Sequence, residues 1–405
     1  MNNRPVKILL YIILTLELLP DVFRENSYFN LALYGIRALG GLLAVLLFIT
    51  SKRKSRSIYF LAAYMIYLLL ITMVKSFSAS NIVRFVSIYA DIFIVAVFTE
   101  YLLQRDTRRL LKLLWVYAWI GLVINCLTVF LLRNGLYVKT NEMGVPFAYY
   151  FYGYDNSFIF RYIPSIFIFY VYEKKYYVIK YPIRTLLAMV LCFASLLYKQ
   201  SIGSCLGMGA VFLGFLLLKL IPEKLTSVKT IWIGYLAVAA LLTMGSLTDF
   251  GSKFISVVGK SQAMNMRAQM WTIALKAIPR NLLFGRGVLN TFAMRDIFMY
   301  AQLHNTLLTT LFWGGVLGIV LYTVFIFSLE NDCLKKESEW DRKLIALLFL
   351  GLVIVSLLDG AELSYHIYLF YFFVANYDAV AGLEVSPSQK KRIVLGKRSA
   401  GKAAL

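Results

Sequence analysis

Apolar runs of membrane length recur along the whole chain and are separated by short polar breaks. With about twenty apolar residues needed per crossing, the pattern predicts spans near residues 6–22, 29–50, 57–75, 80–102, 111–132, 156–172, 183–198, 202–221, 230–247, 305–328, 344–358 and 365–382, so about twelve. This predicts an all-α polytopic membrane protein. One long stretch between spans, residues 248–303, breaks the pattern. Within it, Met266, Met270, Ile273, Ala274 and Ala277 recur at helical spacing. That spacing predicts an amphipathic helix over about 261–277, lying along the outer interface with Trp271 at headgroup level. Pro279 ends it, and Gly285 and Gly287 permit a tight turn.

Composition agrees with the pattern. Of 405 residues, 60% are hydrophobic and 16% charged, against about 25% charged in a soluble domain. The formal charge of +21 would suggest a nucleic-acid partner in a soluble protein. Here the basic residues concentrate in alternate loops, as cytoplasmic loops do, and no nucleic-acid partner is expected. The Arg4/Lys7 end, Lys52-Arg53-Lys54, Arg105/Arg108/Arg109, Lys174/Lys175, Lys219/Lys224, Lys335/Lys336 and the tail from Lys390 to Lys402 all fall on one side. Both termini are therefore expected in the cytoplasm, with 133–155 and 248–303 outside. The expected organisation is spans 1–9 over 1–247, an external catalytic loop over 248–304, spans 10–12 over 305–383 and a basic cytoplasmic tail over 384–405. The apolar stretch after Lys7 is read as a span, because it carries Glu17 and Asp21 and lacks a cleavage site. Four scattered cysteines (Cys126, Cys192, Cys205, Cys333) have no metal-like spacing, so neither a disulfide nor a zinc site is expected.

Charge inside a span is costly and usually functional. Arg37, Arg84 and Arg161 are predicted near the outer ends of their spans, and Lys199 at the outer end of another. Four cations at similar depth point to an anionic ligand such as a lipid-linked phosphate. The alternative is that each snorkels or pairs with Glu17, Asp91 or Glu100. For Asp91, pairing with Arg37 or Arg84 is preferred to a proton relay. His304 precedes an apolar helix, whose N-terminus disfavours the imidazolium. A neutral imidazole at the mouth of an aqueous cavity could act as a general base. The bland reading is a helix-terminal histidine facing water, and His366 is treated as interfacial. A P-loop and an HExxH site are absent from the sequence, and no DxD-type carboxylate pair occurs in an external loop.

Arg267-xxx-Trp271, Pro279, Leu283-Phe284-Gly285-Arg286-Gly287, His304-Asn305-xx-Leu308-xx-Leu311 and the glycines through Gly318 together resemble the signature of the O-antigen polymerase and ligase superfamily. Tyr154-Asp155-Asn156 at a span entrance is similar to a further motif of that family, and Lys199-Gln200-Ser201 stands where the family commonly has Ser-Arg. Lysine keeps the charge there but loses the bidentate fork. The resemblance implies a metal-independent, GT-C-like membrane glycosyltransferase that needs no cofactor and uses a polyprenyl-diphosphate donor. It implies His304 as the base that activates the acceptor hydroxyl. Arg267, Arg286 and Lys199 would bind the diphosphate, joined by the cations Arg161, Arg84 and Arg37. Trp271, Asn305, Asp155 and Asn156 would contact substrate or support the site.

The expected reaction is polymerisation of undecaprenyl-diphosphate-linked repeat units into O-antigen or capsular polysaccharide on the outer face of a bacterial inner or plasma membrane. A chain-length regulator and a flippase are further candidate partners. Two rivals remain at this stage. One is a ligase that moves finished glycan onto a lipid core or a protein. The other is a transporter such as a lipid-linked oligosaccharide flippase, which has no need of a long external loop placing two arginines and a histidine on one side.

Overall fold

The structure, a computed structural model, describes residues 4–25, 27–140, 146–176, 182–245, 262–330 and 338–383. The basic tail, Cys333 and all of 246–261 lie outside these residues. Helices dominate: α1 (Arg4–Glu17), α2 (Ser27–Thr50), α3 (Arg56–Lys75), α4 (Ala79–Leu131), α5 (Phe158–Tyr176), α6 (Ile183–Tyr198), α7 (Ile202–Leu216), α8 (Val228–Gly245), α9 (Gln262–Ala277), α10 (Thr291–Phe298), α11 (Thr306–Leu329), α12 (Glu339–Ser356), α13 (Tyr365–Ala375) and α14 (Tyr377–Ala381). Five of these are long and apolar enough to cross a membrane, namely α2, α3, α4, α8 and α11, and α6, α7 and α13 are shorter apolar helices.

The boundaries differ from the predicted spans for local reasons. Helix α1 stops at Glu17, and Leu19 precedes Pro20, a position where the α conformation is disfavoured. Helix α4 contains two predicted spans and is interrupted at Asp106 (φ −152°, ψ 45°). The polar run around Arg105-Asp106 is thus a kink with no intervening loop. Helix α9 forms where the apolar spacing predicts it, but its face is turned into the protein. Met270, Trp271 and Ala274 are buried, and the helix packs on α8, α10 and α11. Trp271 is 1% exposed and its Nε1 donates to the Leu303 carbonyl at 3.0 Å. It is therefore an internal anchor, and the expected headgroup position is corrected.

Residues 133–155, expected from the sequence as an external loop, contain a small antiparallel sheet of β1 (Tyr137–Thr140), β2 (Pro146–Tyr150) and β3 (Gly153–Tyr154). Tyr137 pairs with Tyr149, and Tyr149 with Tyr154. The Tyr137 and Tyr149 rings stack with centroids 5.1 Å apart, and such cross-strand aromatic pairs stabilise short sheets.

The bundle core is formed where α4 packs on α2, α5 and α13, α11 packs on α3, and α12 packs on α7. Outward faces stay apolar, as at Leu31, Leu42 and Ile49 of α2 and Leu241 of α8. Exposed apolar surface of this extent marks a face for lipid or partners. Arg37 is paired inside the bundle, with its Nη2 3.0 Å from Asp91 and its Nε 3.3 Å from Glu17.

Helix α11 is broken. Gly315 has φ 62° and ψ −163°, which frees backbone groups on both sides of it. The preceding segment 282–287 fills the gap. Arg286 N donates to Phe312 O at 2.9 Å and Gly287 N to Trp313 O at 2.8 Å, while Val316 N donates to Leu282 O at 2.8 Å and Leu317 N to Leu283 O at 3.2 Å. Irregular backbone at membrane depth is tolerated where protein satisfies it in this way. A Cβ on Gly285 would lie 2.4 Å from Trp313 O, and one on Gly315 2.5 Å from Leu283 O. Glycine is required at both positions for closeness as well as for positive φ.

Candidate active site

A cavity of about 970 Å³ opens at one end of the bundle. Its walls come from segments that the sequence assigns to the outer side. They are the 21–24 turn, the small sheet, the start of α5, the start of α9, residues 295–304 and the 359–366 connection. His304, Arg267, Arg161 and Asn156 line it. Asp359, Arg24, Asp21, Arg295, Tyr365 and His366 also line it, none of which the sequence reading had placed in the site.

His304 lies one residue before the helix cap, not on the helix itself. Asn305 is the N-cap of α11. Its side chain accepts from Leu308 N at 3.0 Å and donates to Leu357 O at 3.0 Å, and the residue is fully buried. Its role is structural, and it does not line the cavity. On the other side, Leu303 O is held by Trp271. Between these two anchors His304 adopts φ 48°, a left-handed conformation that costs of order 1–3 kcal/mol in a non-glycine residue and persists where neighbours over-determine it.

The His304 Nδ1 lies 3.1 Å from Asp359 Oδ1, with the histidine side chain 34% exposed and the aspartate 19%. The carboxylate accepts from Nδ1–H, which fixes the tautomer and leaves the Nε2 lone pair available. Burial acts to raise the Asp359 pKa. The hydrogen bond from His304, the His304 charge and the Arg267 charge outweigh it and hold the carboxyl below its ordinary value. A second carboxylate, Glu362, bonds Thr306 Oγ1 in the first turn of α11. Burial pushes it up to about 7, and its Oε1 has no hydrogen-bond partner among the described residues.

The cations divide into groups. Arg161 is 7% exposed, donates to Leu18 O at 3.0 Å and Leu19 O at 3.2 Å, and pairs with Asp21 at 2.8 Å. It ties the end of α1 to α5 while lining the cavity. Arg24 donates to Glu17 O at 2.9 Å and to the Tyr365 hydroxyl. Arg267 projects from α9, on the stripe that carries Met270, Trp271 and Ala274.

Four predicted cations do not line this cavity. Arg37 is held by Asp91 and Glu17. Arg84 is half-buried on α4 with no ion pair among the described residues. Arg286 places its guanidinium 5.9 Å from the Phe312 ring, and its backbone serves the α11 junction. Lys199 lies over the Tyr150 ring at 4.2 Å. Thus, of the cations predicted to share one depth, Arg161 alone reaches the cavity.

Asp155 is set behind the wall, where its Oδ1 accepts from Asn156 N at 2.8 Å. Burial pushes its carboxyl up to about 6 against the opposing pull of that bond and of Lys199. Asn156 in turn accepts from Ser201 Oγ, and its carbonyl from Ser204 Oγ. The Tyr154-Asp155-Asn156 entrance is thereby locked to the start of α7, and Tyr154 and Asn156 face the cavity.

A basic, half-enclosed cavity with an oriented imidazole at one wall can bind an anion and take a proton from a hydroxyl beside it. Residues 187–323 match the family model described as O-Antigen ligase, and over that segment the match supports the O-antigen ligase and polymerase superfamily that the sequence motifs resemble. The matched segment includes Lys199, Arg267, Arg286 and His304 and stops short of Asp359. No curated protein and no solved structure matches the chain.

Proposed function

We propose that the chain is a membrane glycosyltransferase that joins lipid-linked oligosaccharide repeat units into O-antigen or capsular polysaccharide, with undecaprenyl diphosphate as leaving group. The observation that carries this is the shared cavity, in which the His304–Asp359 pair and the guanidinium groups of Arg267, Arg161 and Arg24 bound one volume. In this mechanism His304 Nε2 removes the proton from the acceptor hydroxyl while Asp359 steadies the imidazolium. The hydroxyl oxygen attacks the anomeric carbon, and the bond to the diphosphate oxygen breaks. The arginines bind the charge that develops on the departing diphosphate, a task suited to their planar forks. A single displacement inverts the anomeric centre. The donor, the outward orientation of the cavity and the bacterial inner or plasma membrane belong to this proposal, as do a chain-length regulator and a flippase as partners.

The second reading is a ligase that transfers finished glycan to a lipid core or a protein, and the description of the matching family favours it. Both readings use the same site and differ in the acceptor. The purified protein in lipid vesicles, given lipid-linked repeat units in the presence of EDTA, separates them. A glycan ladder that is lost in His304→Ala supports the polymerase. No ladder, with transfer to an added lipid-core acceptor, turns the assignment to ligase. Neither product, with lipid-linked sugar crossing the bilayer, returns the chain to the transporter class.

A further inference from the structure

A second cavity of about 970 Å³ lies at the other end of the bundle. The α2–α3 connection supplies Lys52, Arg53, Lys54 and Arg56 to it, and Lys229 joins them from the first turn of α8. The rest of the wall mixes apolar side chains, among them Phe60 of α3 and Val324 and Phe327 of α11, with polar ones such as Gln104, Thr107 and Ser328.

The connection is held in place. Glu100 of α4, a buried carboxylate, accepts from Ser55 N at 2.7 Å and from Ser55 Oγ at 2.5 Å. This occupies both carboxylate oxygens on the serine and leaves the flanking cations turned to the cavity. The carboxylate of Glu330 is similarly engaged, accepting from Ser227 Oγ at 2.7 Å and from Lys229 N at 3.3 Å at the start of α8. Among the described residues Lys52, Arg53, Lys54, Arg56 and Lys229 form no ion pair. Lys52, Arg53 and Arg56 are exposed. Five cations line this cavity with two carboxylates, Glu330 and Asp378, so positive charge is in excess.

We infer that this cavity binds a phosphate-bearing anion, and that the anion is the headgroup of an acidic phospholipid from the leaflet at that end. The phosphate chemistry follows from the cations, which offer several donors to one concave volume. The lipid source follows from what lies beside them. Phe60 is 37% exposed and Tyr59 51%, and both sit on a membrane-length helix one turn below Arg56. A lipid places charge and hydrocarbon in that order, and basic pockets between spanning helices suit such headgroups. A loop that served only as a topological signal would require neither the Glu100 anchor nor the concave wall. This inference is independent of the chemistry proposed for the other cavity.

The test uses the full chain, purified in detergent, and native mass spectrometry with phosphatidylglycerol or phosphatidylcholine of matched acyl chains. Wild type should retain phosphatidylglycerol at least about tenfold better. That preference should vanish in Lys52→Gln/Arg53→Gln/Arg56→Gln and persist in Lys219→Gln/Lys224→Gln, which removes charge outside the cavity. Equal retention of the two lipids, or equal loss in both variants, overturns the site. Binding of inorganic pyrophosphate that is lost in the triple variant, without any lipid preference, overturns the lipid source and assigns the cavity to a soluble phosphate.

Discussion

The Nδ1 of His304 and the Oδ1 of Asp359 are 3.1 Å apart, and the chain between them runs down α11 and back up α12. The pair therefore depends on the tie between the start of α11 and the end of α12, where Asn305 Nδ2 donates to Leu357 O. Replacing Asp359 by Asn keeps the shape but lets the side chain donate as well as accept, so the imidazole tautomer is no longer fixed. Glycan transfer should fall about 10²–10⁴-fold. The wild-type pH profile carries a sign. A carboxylate held below its ordinary value contributes stability above its unfolded pKa and loses it as pH falls through the folded one. Asp359 should thus impose no loss above about pH 4. A loss of wild-type stability that sets in near about pH 6 and is absent from the variant would refute the lowered Asp359 carboxyl.

Arg267 and Arg161 should separate by readout. Arg161→Gln removes a buried cation that holds the Leu18 and Leu19 carbonyls, just past α1, and Asp21, and leaves those acceptors short of a donor. The expected result is a lowered melting temperature in detergent. Arg267→Lys keeps the charge and loses the fork. It should lower transfer at least about tenfold at an unchanged melting temperature. Comparable melting losses in both variants would contradict the division of labour.

Gly285→Ala places a methyl group against the Trp313 carbonyl at a residue with φ 74°. The break in α11 can then no longer be filled, and destabilisation well above about 1 kcal/mol is expected. Gly318→Ala is the matched control, since its nearest neighbour is an ordinary 3.4 Å contact. Thermal unfolding of the two variants side by side tests whether the junction or general helix packing uses these glycines.

Glu362→Gln tests a buried carboxyl whose burial raises its pKa to about 7. A raised carboxyl favours the folded state fully below the unfolded value, and that contribution is lost as pH rises through the folded value. Wild-type stability should therefore decline between about pH 4.5 and pH 7, and the glutamine variant should lack this component. Parallel melting curves for the two proteins across that window would show that Glu362 does not titrate there.

The sequence discloses most of the scaffold, because apolar length and basic alternation are local properties. The loops that alternation assigns to opposite sides do gather into cavities at opposite ends. His304, Arg267 and Asn156 were legible through motif spacing, and Arg161 through its cost inside a span. Asp359 was not, since Asp359-Gly360 reads as an ordinary polar break between two spans. Hydrogen bonds from Asn305 to Leu357 O and from Thr306 to Asp359 O bring it to the histidine. Arg24 was hidden in the same way, within a short turn. Equal depth does not bring four cations to one site, because depth leaves rotation about each helix undetermined. Arg37 faces Asp91, and Lys199 faces Tyr150. The sheet over 137–154 was missed because its strands are four, five and two residues long, too short to establish alternation against a Tyr-rich background.

The junction between 282–287 and Gly315 also bears on biogenesis. A helix interrupted in this way would carry unpaired carbonyls and amides into hydrocarbon, where each costs several kcal/mol. The segment that satisfies them lies N-terminal to α11, so it has left the ribosome before the broken helix does. Synthesis thus delivers the plug ahead of the gap, and α11 can enter the bilayer with its partner already waiting. A circular permutation that placed 282–287 after Leu329 would preserve every contact in the finished fold and reverse that order.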